Sequence, residues 1–190
     1  MDAQTLATLV LAELSRSDQT PLGRAALAAA CNASERAIDA AITLLLDLEL
    51  IQTDGDAIVA RGRSAHTERD VLLIVENTSA VAHVAAALLE SEGYGVLLAT
   101  NLPPAEAALA CAPIALVIAD SFAATAHAAV ERLQALRQVA GAVPVLLFTA
   151  HRDLDDQQAQ AAGFAGLLPK PFDIDELLER VRTAIDASRT

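Results

Sequence analysis

The sequence predicts an α/β protein: a five-stranded, doubly wound parallel sheet, preceded by a small module of three helices and a hairpin. Two observations carry the sheet. The runs VLLIV (71–75), IALVIA (114–119) and VPVLLFTA (143–150) are apolar almost throughout, as strands covered on both faces must be. GYGVLLAT (93–100) and GFAGLLP (163–169) supply two more strands, and amphipathic helical patterns at 79–92, 104–111, 124–139, 153–162 and 173–187 alternate with them. That alternation selects a parallel sheet with helices on both faces. A third observation separates the N-terminal module: before residue 61 the chain shows helical spacing and one short hairpin, with no continuous apolar strand.

The module's elements follow in order. TLATLVLAELS (5–15) carries apolar residues at helical spacing. RSDQTP breaks it, and Thr20 with Pro21 is the expected start of a second helix, Thr20 as N-cap and Pro21 in the first helical position. Ser34 is the expected cap of a third, ERAIDAAITLLLDLEL, with Ile38, Ala41, Leu44, Leu45 and Leu48 facing inward. LIQTDGDAIVA places Asp54-Gly55 between two strand-like runs, a strong hairpin signal. RGRSAHTERD (61–70) has little periodicity, which sets the expected division at 1–62, a linker at 63–69, and 70–190.

Composition narrows the functional classes. The formal net charge is −12 and 54% of residues are hydrophobic, so no general electrostatic attraction to nucleic acid or an anionic membrane is expected. No apolar run reaches the length of about 18 residues that a membrane span needs, and the expectation is a soluble, cytoplasmic protein. Cys31 and Cys111 lie in alanine-rich helical patterns without metal-ligand spacing and are expected as free thiols. His66, His83, His127 and His151 are scattered, and the chain lacks a Gly-rich phosphate loop or a Ser-His-Asp order. An aspartyl phosphatase would place a second acid two residues after Asp120, where this chain has Phe122. No conventional enzyme is expected.

Doubly wound sheets gather functional groups at the carboxyl ends of their strands. Here those ends carry Glu76 and Asn77, Asp120, Thr149, and Lys170 within GLLPKPF. Lys170 is the single lysine in a chain whose other cations are all arginine. An ammonium is a compact charge on a flexible stem, unlike the rigid guanidinium fork.

IVEN, VIAD, LLFTA and LLPKPF, in order at four strand ends, resemble the receiver domain of bacterial two-component response regulators over residues 70–188. The resemblance implies a flavodoxin-like fold and makes Asp120 the acceptor of a phosphoryl group from a histidine kinase or phosphotransfer protein. It implies that Thr149 and Lys170 contact the phosphoryl oxygens, that Mg²⁺ sits among Glu76, Asn77 and Asp120, and that the Lys170–Pro171 bond is cis. Three departures stand out. Asn77 replaces the acid that most directly binds the metal, Leu167 occupies the place of the aromatic switch, and the loop after Asp120 lacks the usual Pro and Gly. Weaker Mg²⁺ binding is expected, with a pseudo-receiver used for protein contacts as the alternative.

Three helices and a hairpin in about sixty residues resemble a winged helix-turn-helix domain, which implies transcriptional regulation through DNA. Arg24, Arg36, Arg61 and Arg63 are the expected phosphate contacts, whereas Glu35, Asp39, Asp54 and Asp56 would repel DNA. Protein contact is the alternative use of the module. The last helix offers Ile174, Leu177, Leu178, Val181 and Ile185; most of these are expected to pack on the sheet, with a homodimer stripe as the alternative use of any left exposed.

Overall fold

The computed structural model describes residues 1–17, 20–63, 65–120 and 126–189, the side chains of 126, 127 and 129 excepted. The first part of the chain forms α1 (Ala3–Arg16), α2 (Arg24–Ala30), α3 (Glu35–Asp47) and an antiparallel hairpin of β1 (Ile51–Asp54) and β2 (Ala57–Ala60). Ser34 caps α3, its hydroxyl accepting the Ala37 N–H at 3.3 Å. Asp2 caps α1 through the Thr5 N–H at 2.8 Å. Such caps contribute about 1 kcal/mol each. Gly55 turns the hairpin at φ +60°, a conformation that costs glycine nothing.

Thr20 and Pro21 do not open the second helix. It starts at Arg24 after Gly23, because Leu22 is pulled into a bridge with Ile58 of the hairpin through two backbone hydrogen bonds of 3.0 and 2.9 Å. On α3 the buried face is Ile38, Ala41, Ile42 and Leu45, so Ile42 replaces the expected Leu44, which is half-buried.

The second part alternates β3 (Val71–Val75), α4 (Ser79–Ser91), β4 (Gly95–Ala99), α5 (Leu102–Cys111), β5 (Ile114–Asp120), α6 (Ala126–Ala140), β6 (Val145–Thr149), α7 (Asp156–Ala161), β7 (Gly166–Pro169) and α8 (Ile174–Ser188). The five strands are parallel in the order β4-β3-β5-β6-β7. Period-two alternation splits their side chains between two cores. Leu72, Ile74, Leu116, Ile118, Leu146 and Phe148 face α4 and α8, while Leu73, Val75, Val117, Ala119 and Leu147 share the other core with α5, α6 and α7. α7 starts later than the sequence pattern suggests because Asp155 and Gln158 form a reciprocal capping box. α5 starts earlier, taking Pro103 and Pro104 into its first turn, where no N–H is needed.

The two parts share one core. α1 lies between α3 on one side and β4 with α5 on the other, so Leu6, Ala7, Val10, Leu11, Ala12 and Leu14 are all buried. A helix apolar around most of its circumference needs two partners to cover it, and the sheet supplies the second. Polar contacts follow the same seam. Cys111 Sγ donates to the Leu11 carbonyl at 3.4 Å, Arg69 pairs with Asp47 at 2.7 Å, and the Glu68 N–H donates to Glu49 at 3.1 Å. Both cysteines are free, as expected.

In α8, Leu177, Val181 and Ile185 are buried against the sheet, Leu178 is half-buried, and Ile174 is exposed. Most of these residues thus pack on the sheet, as the sequence leads one to expect, and Ile174 is the one left exposed. Among the described residues no helix is long and apolar enough to cross a membrane.

Candidate phosphoryl-acceptor site

Glu76, Asp120, Thr149 and Lys170 come together at the carboxyl edge of the sheet. Register does the assembly. Val75 pairs with Ala119, which places Glu76 beside Asp120, and Thr149 pairs with Pro169, which delivers Lys170 from the neighbouring strand end. The Lys170 N–H donates to the Thr149 carbonyl at 2.8 Å, extending that pairing by one residue. The Lys170–Pro171 peptide bond is cis.

Lys170 is the hub of the site. Its ammonium donates to Glu76 Oε2 and, at 2.5 Å, to Asp120 Oδ2. The same nitrogen stands 4.3 Å from the centroid of the Phe148 ring, which packs against Phe172 at 5.5 Å between centroids. The Glu76 side chain is fully buried, whereas those of Lys170 and Asp120 retain 18% and 22% of their exposure. The lone ammonium thus neutralises a carboxylate that has no access to water, and reaches a second that does. A buried carboxylate without such a partner costs several kcal/mol.

Glu76 also accepts the Thr78 N–H at 2.7 Å through Oε1, so both of its oxygens are occupied, one by backbone and one by Lys170. Asn77 is exposed. Thr149 is buried, and its hydroxyl oxygen accepts the His151 N–H at 3.0 Å. A hydroxyl can accept and donate at once, which leaves its hydrogen for an incoming oxygen. Leu167 is buried, and its N–H donates to Asp156 Oδ1 at 2.8 Å. As an aliphatic residue it supplies no aromatic ring to rotate between core and solvent.

The donor set fits Mg²⁺ with reduced charge. Among the described residues there is no cluster of three or more His, Cys, Asp or Glu side chains that could hold a metal. Mg²⁺ is usually held by one or two carboxylates plus substrate phosphate and retains several waters. The Asp120 carboxylate meets that minimum; the Asn77 amide oxygen accepts the Thr78 hydroxyl at 3.4 Å, and the Glu76 oxygens accept Lys170 and the Thr78 N–H.

Three of the four arginines expected as DNA contacts hold partners within the molecule. Arg24 is held between Asp39 and Asp56 at 3.0 Å each, and its guanidinium keeps the Asp56 carboxyl below the ordinary carboxylate range. Arg61 donates to the Glu49 carbonyl at 3.0 Å. Arg63 donates to the Ala140 carbonyl at 3.0 Å, covering the C-terminal end of α6. Arg36 is exposed. Phe122 and the rest of the loop after Asp120, residues 121–125, lie outside the described residues, as does the His127 side chain. His83 bonds Ser79 and approaches Asp2 at 3.5 Å, away from the site.

Sequence reasoning missed Phe148, Phe172 and Thr78. The one available signal was the scarcity of aromatics: two of the chain's four phenylalanines directly precede Thr149 or closely follow Lys170.

Comparison with known proteins bears on the same residues. The response regulator receiver domain family matches residues 72–182. The chain is 33% identical over 124 residues to the uncharacterized transcriptional regulatory protein YkoG of Bacillus subtilis, covering 65% of this chain and 54% of that protein. It therefore spans about half the length of this curated relative. Among solved structures, the signal receiver domain of modulated diguanylate cyclase from Desulfovibrio desulfuricans G20 is similar at 28% identity and TM-score 0.51, covering 64% of this chain and 98% of that one. A response regulator from Thermotoga maritima is similar at 25% identity and TM-score 0.54, covering 62% of this chain and 98% of that one. With five parallel strands in the order 2-1-3-4-5 and the acid, hydroxyl and ammonium at their ends, the chain belongs to the response regulator receiver domain family.

Proposed function

We propose that the protein is a two-component response regulator that accepts a phosphoryl group on Asp120 and acts in transcriptional control. The observation that carries this reading is the position of Lys170, whose ammonium bonds the partly exposed Asp120 while a buried Glu76 holds it from behind. An Asp120 oxygen attacks phosphorus, the new O–P bond forms as the donor's N–P or O–P bond breaks, and the leaving group departs with the bonding electrons. Lys170 then exchanges its Asp120 contact for a phosphoryl oxygen, and the Thr149 hydroxyl donates to another. Mg²⁺, held by Asp120 and Asn77, would neutralise charge on the transferring group. A histidine kinase or phosphotransfer protein is the proposed donor. The likeness to a transcriptional regulatory protein supports the output.

A second reading of the N-terminal module is favoured by Arg24. Its charge is shared between Asp39 and Asp56, on α3 and at the hairpin tip. This supports a winged-helix-like module that contacts protein, with DNA reached through a partner. In both readings the input is the same.

Intact mass after incubation with acetyl phosphate tests that input. A gain of about 80 Da, the mass of one added phosphoryl group, is expected in the wild type and absent from Asp120→Ala. An unmodified wild type at millimolar Mg²⁺ would leave a pseudo-receiver.

A further inference from the structure

Phe148 heads the fully buried side chains by volume, and phosphoryl acceptance as described gives it nothing to do. It precedes Thr149 on β6 and pairs in register with Asp120 on β5 and Leu168 on β7. Residues paired across neighbouring strands project to the same face, so the ring and the phosphoacceptor share one side of the sheet. Lys170 enters from the next strand end, and its ammonium stands 4.3 Å from the ring centroid while also bonding Glu76 and Asp120. Phe172 packs against the Phe148 ring at 60° between planes, an arrangement aromatic pairs favour. What an aromatic ring adds is a negative face for a cation.

We infer that Phe148 is a positioning residue for Lys170. The inference rests on the reading that Asp120 accepts a phosphoryl group. During transfer Lys170 must release the Asp120 oxygen that becomes the nucleophile and take up a phosphoryl oxygen instead. Its stem has four rotatable carbons, so a released ammonium with one remaining partner would sample many positions. Glu76 holds it from one direction, and the Phe148 face from a second. Those two contacts persist through the exchange. The ring thus orients the ammonium without touching the donor or the reacting phosphorus.

The chain's single lysine makes the test selective. Lysine labelled with ¹³C at Cε gives one resonance in the full-length protein, and the Phe148 ring current is expected to shift its methylene protons upfield. Phe148→Leu should return them towards the position of a solvated lysine and slow labelling by acetyl phosphate by about twofold to thirtyfold, the range from an exposed to a desolvated cation–π contact. Mono-, di- and trifluorophenylalanine at position 148 keep the ring's shape while draining its negative face. Labelling should slow step by step along this series with the melting temperature unchanged, which a purely structural role for the ring would not produce. An unshifted lysine signal in the wild type overturns the inference, and so does a labelling rate indifferent to fluorination. If the wild type takes no phosphoryl group at all, the functional reading fails alone, and the lysine signal still decides whether Phe148 holds the ammonium.

Discussion

Leu48, just past α3, lies so close to Gly95 at the start of β4 that a Cβ on Gly95 would stand 2.5 Å from Leu48 Cδ2. Leu48 is itself buried, so it cannot swing into solvent to make room. The contact joins the N-terminal module to the edge strand of the sheet. Gly95→Ala is expected to destabilise the protein by about 1–3 kcal/mol, the usual cost of overpacking. Adding Leu48→Ala should recover part of the loss. A chemical denaturation double-mutant cycle measures it, and additive single effects would mean the two halves are not packed as described.

Arg24 provides the second prediction. If Asp39 and Asp56 occupy its charge, the wild type should show little salt-dependent affinity for duplex DNA. Asp39→Ala with Asp56→Ala frees the guanidinium and removes two repelling charges. The double variant should bind duplex DNA more tightly, with an affinity that falls between about 50 and 200 mM salt. Fluorescence anisotropy reads both. Strong, salt-sensitive binding by the wild type that Arg24→Ala abolishes would restore DNA as the module's direct partner.

Asn77 sets the third. Restoring a charged ligand with Asn77→Asp should tighten Mg²⁺ binding by about tenfold, the scale of one added carboxylate in a partly screened site. Calorimetric titration of Mg²⁺ into the two proteins makes the comparison directly. Equal affinities would place the metal away from Asn77.

The thiols supply a pH dependence. Desolvation pushes the thiols of half-buried Cys31 and buried Cys111 up to about 11, above the ordinary thiol value. The unfolded thiols ionise first as pH rises, so the stability each buried neutral thiol contributes is full below pH 9 and lost on approaching pH 11. Native protein should therefore resist a thiolate-specific reagent at pH 8, and both cysteines should react once the chain is unfolded. Prompt reaction of the native protein at pH 8 would contradict the burial.

Much of the α/β half was legible because its signals are local. Continuous apolar runs gave the strands, and the strand-end positions of Asp120, Thr149 and Lys170 followed from topology alone. Non-local contacts were not legible. The start of α2 depended on Leu22 pairing with Ile58 across the module. The burial of nearly every face of α1 depended on β4 and α5, about ninety residues away in sequence. Glu76 is expected as a metal ligand from its position alone, and the sequence does not show that its oxygens also accept Lys170 and the Thr78 N–H. Side-chain commitments of this kind, like those of Arg24, Arg61 and Arg63, are set by tertiary neighbours that residue type does not reveal.

The central claim is that Asp120 carries the phosphoryl group. Borohydride reduction of acetyl phosphate-treated protein, followed by peptide mass mapping, tests it most directly, because an aspartyl phosphate is reduced to homoserine while a free carboxylate is untouched. Homoserine is expected at position 120 and at no other acid, and is expected to be lost in Lys170→Ala. Homoserine confined to another position, or none in protein that has gained the phosphoryl mass, would contradict it.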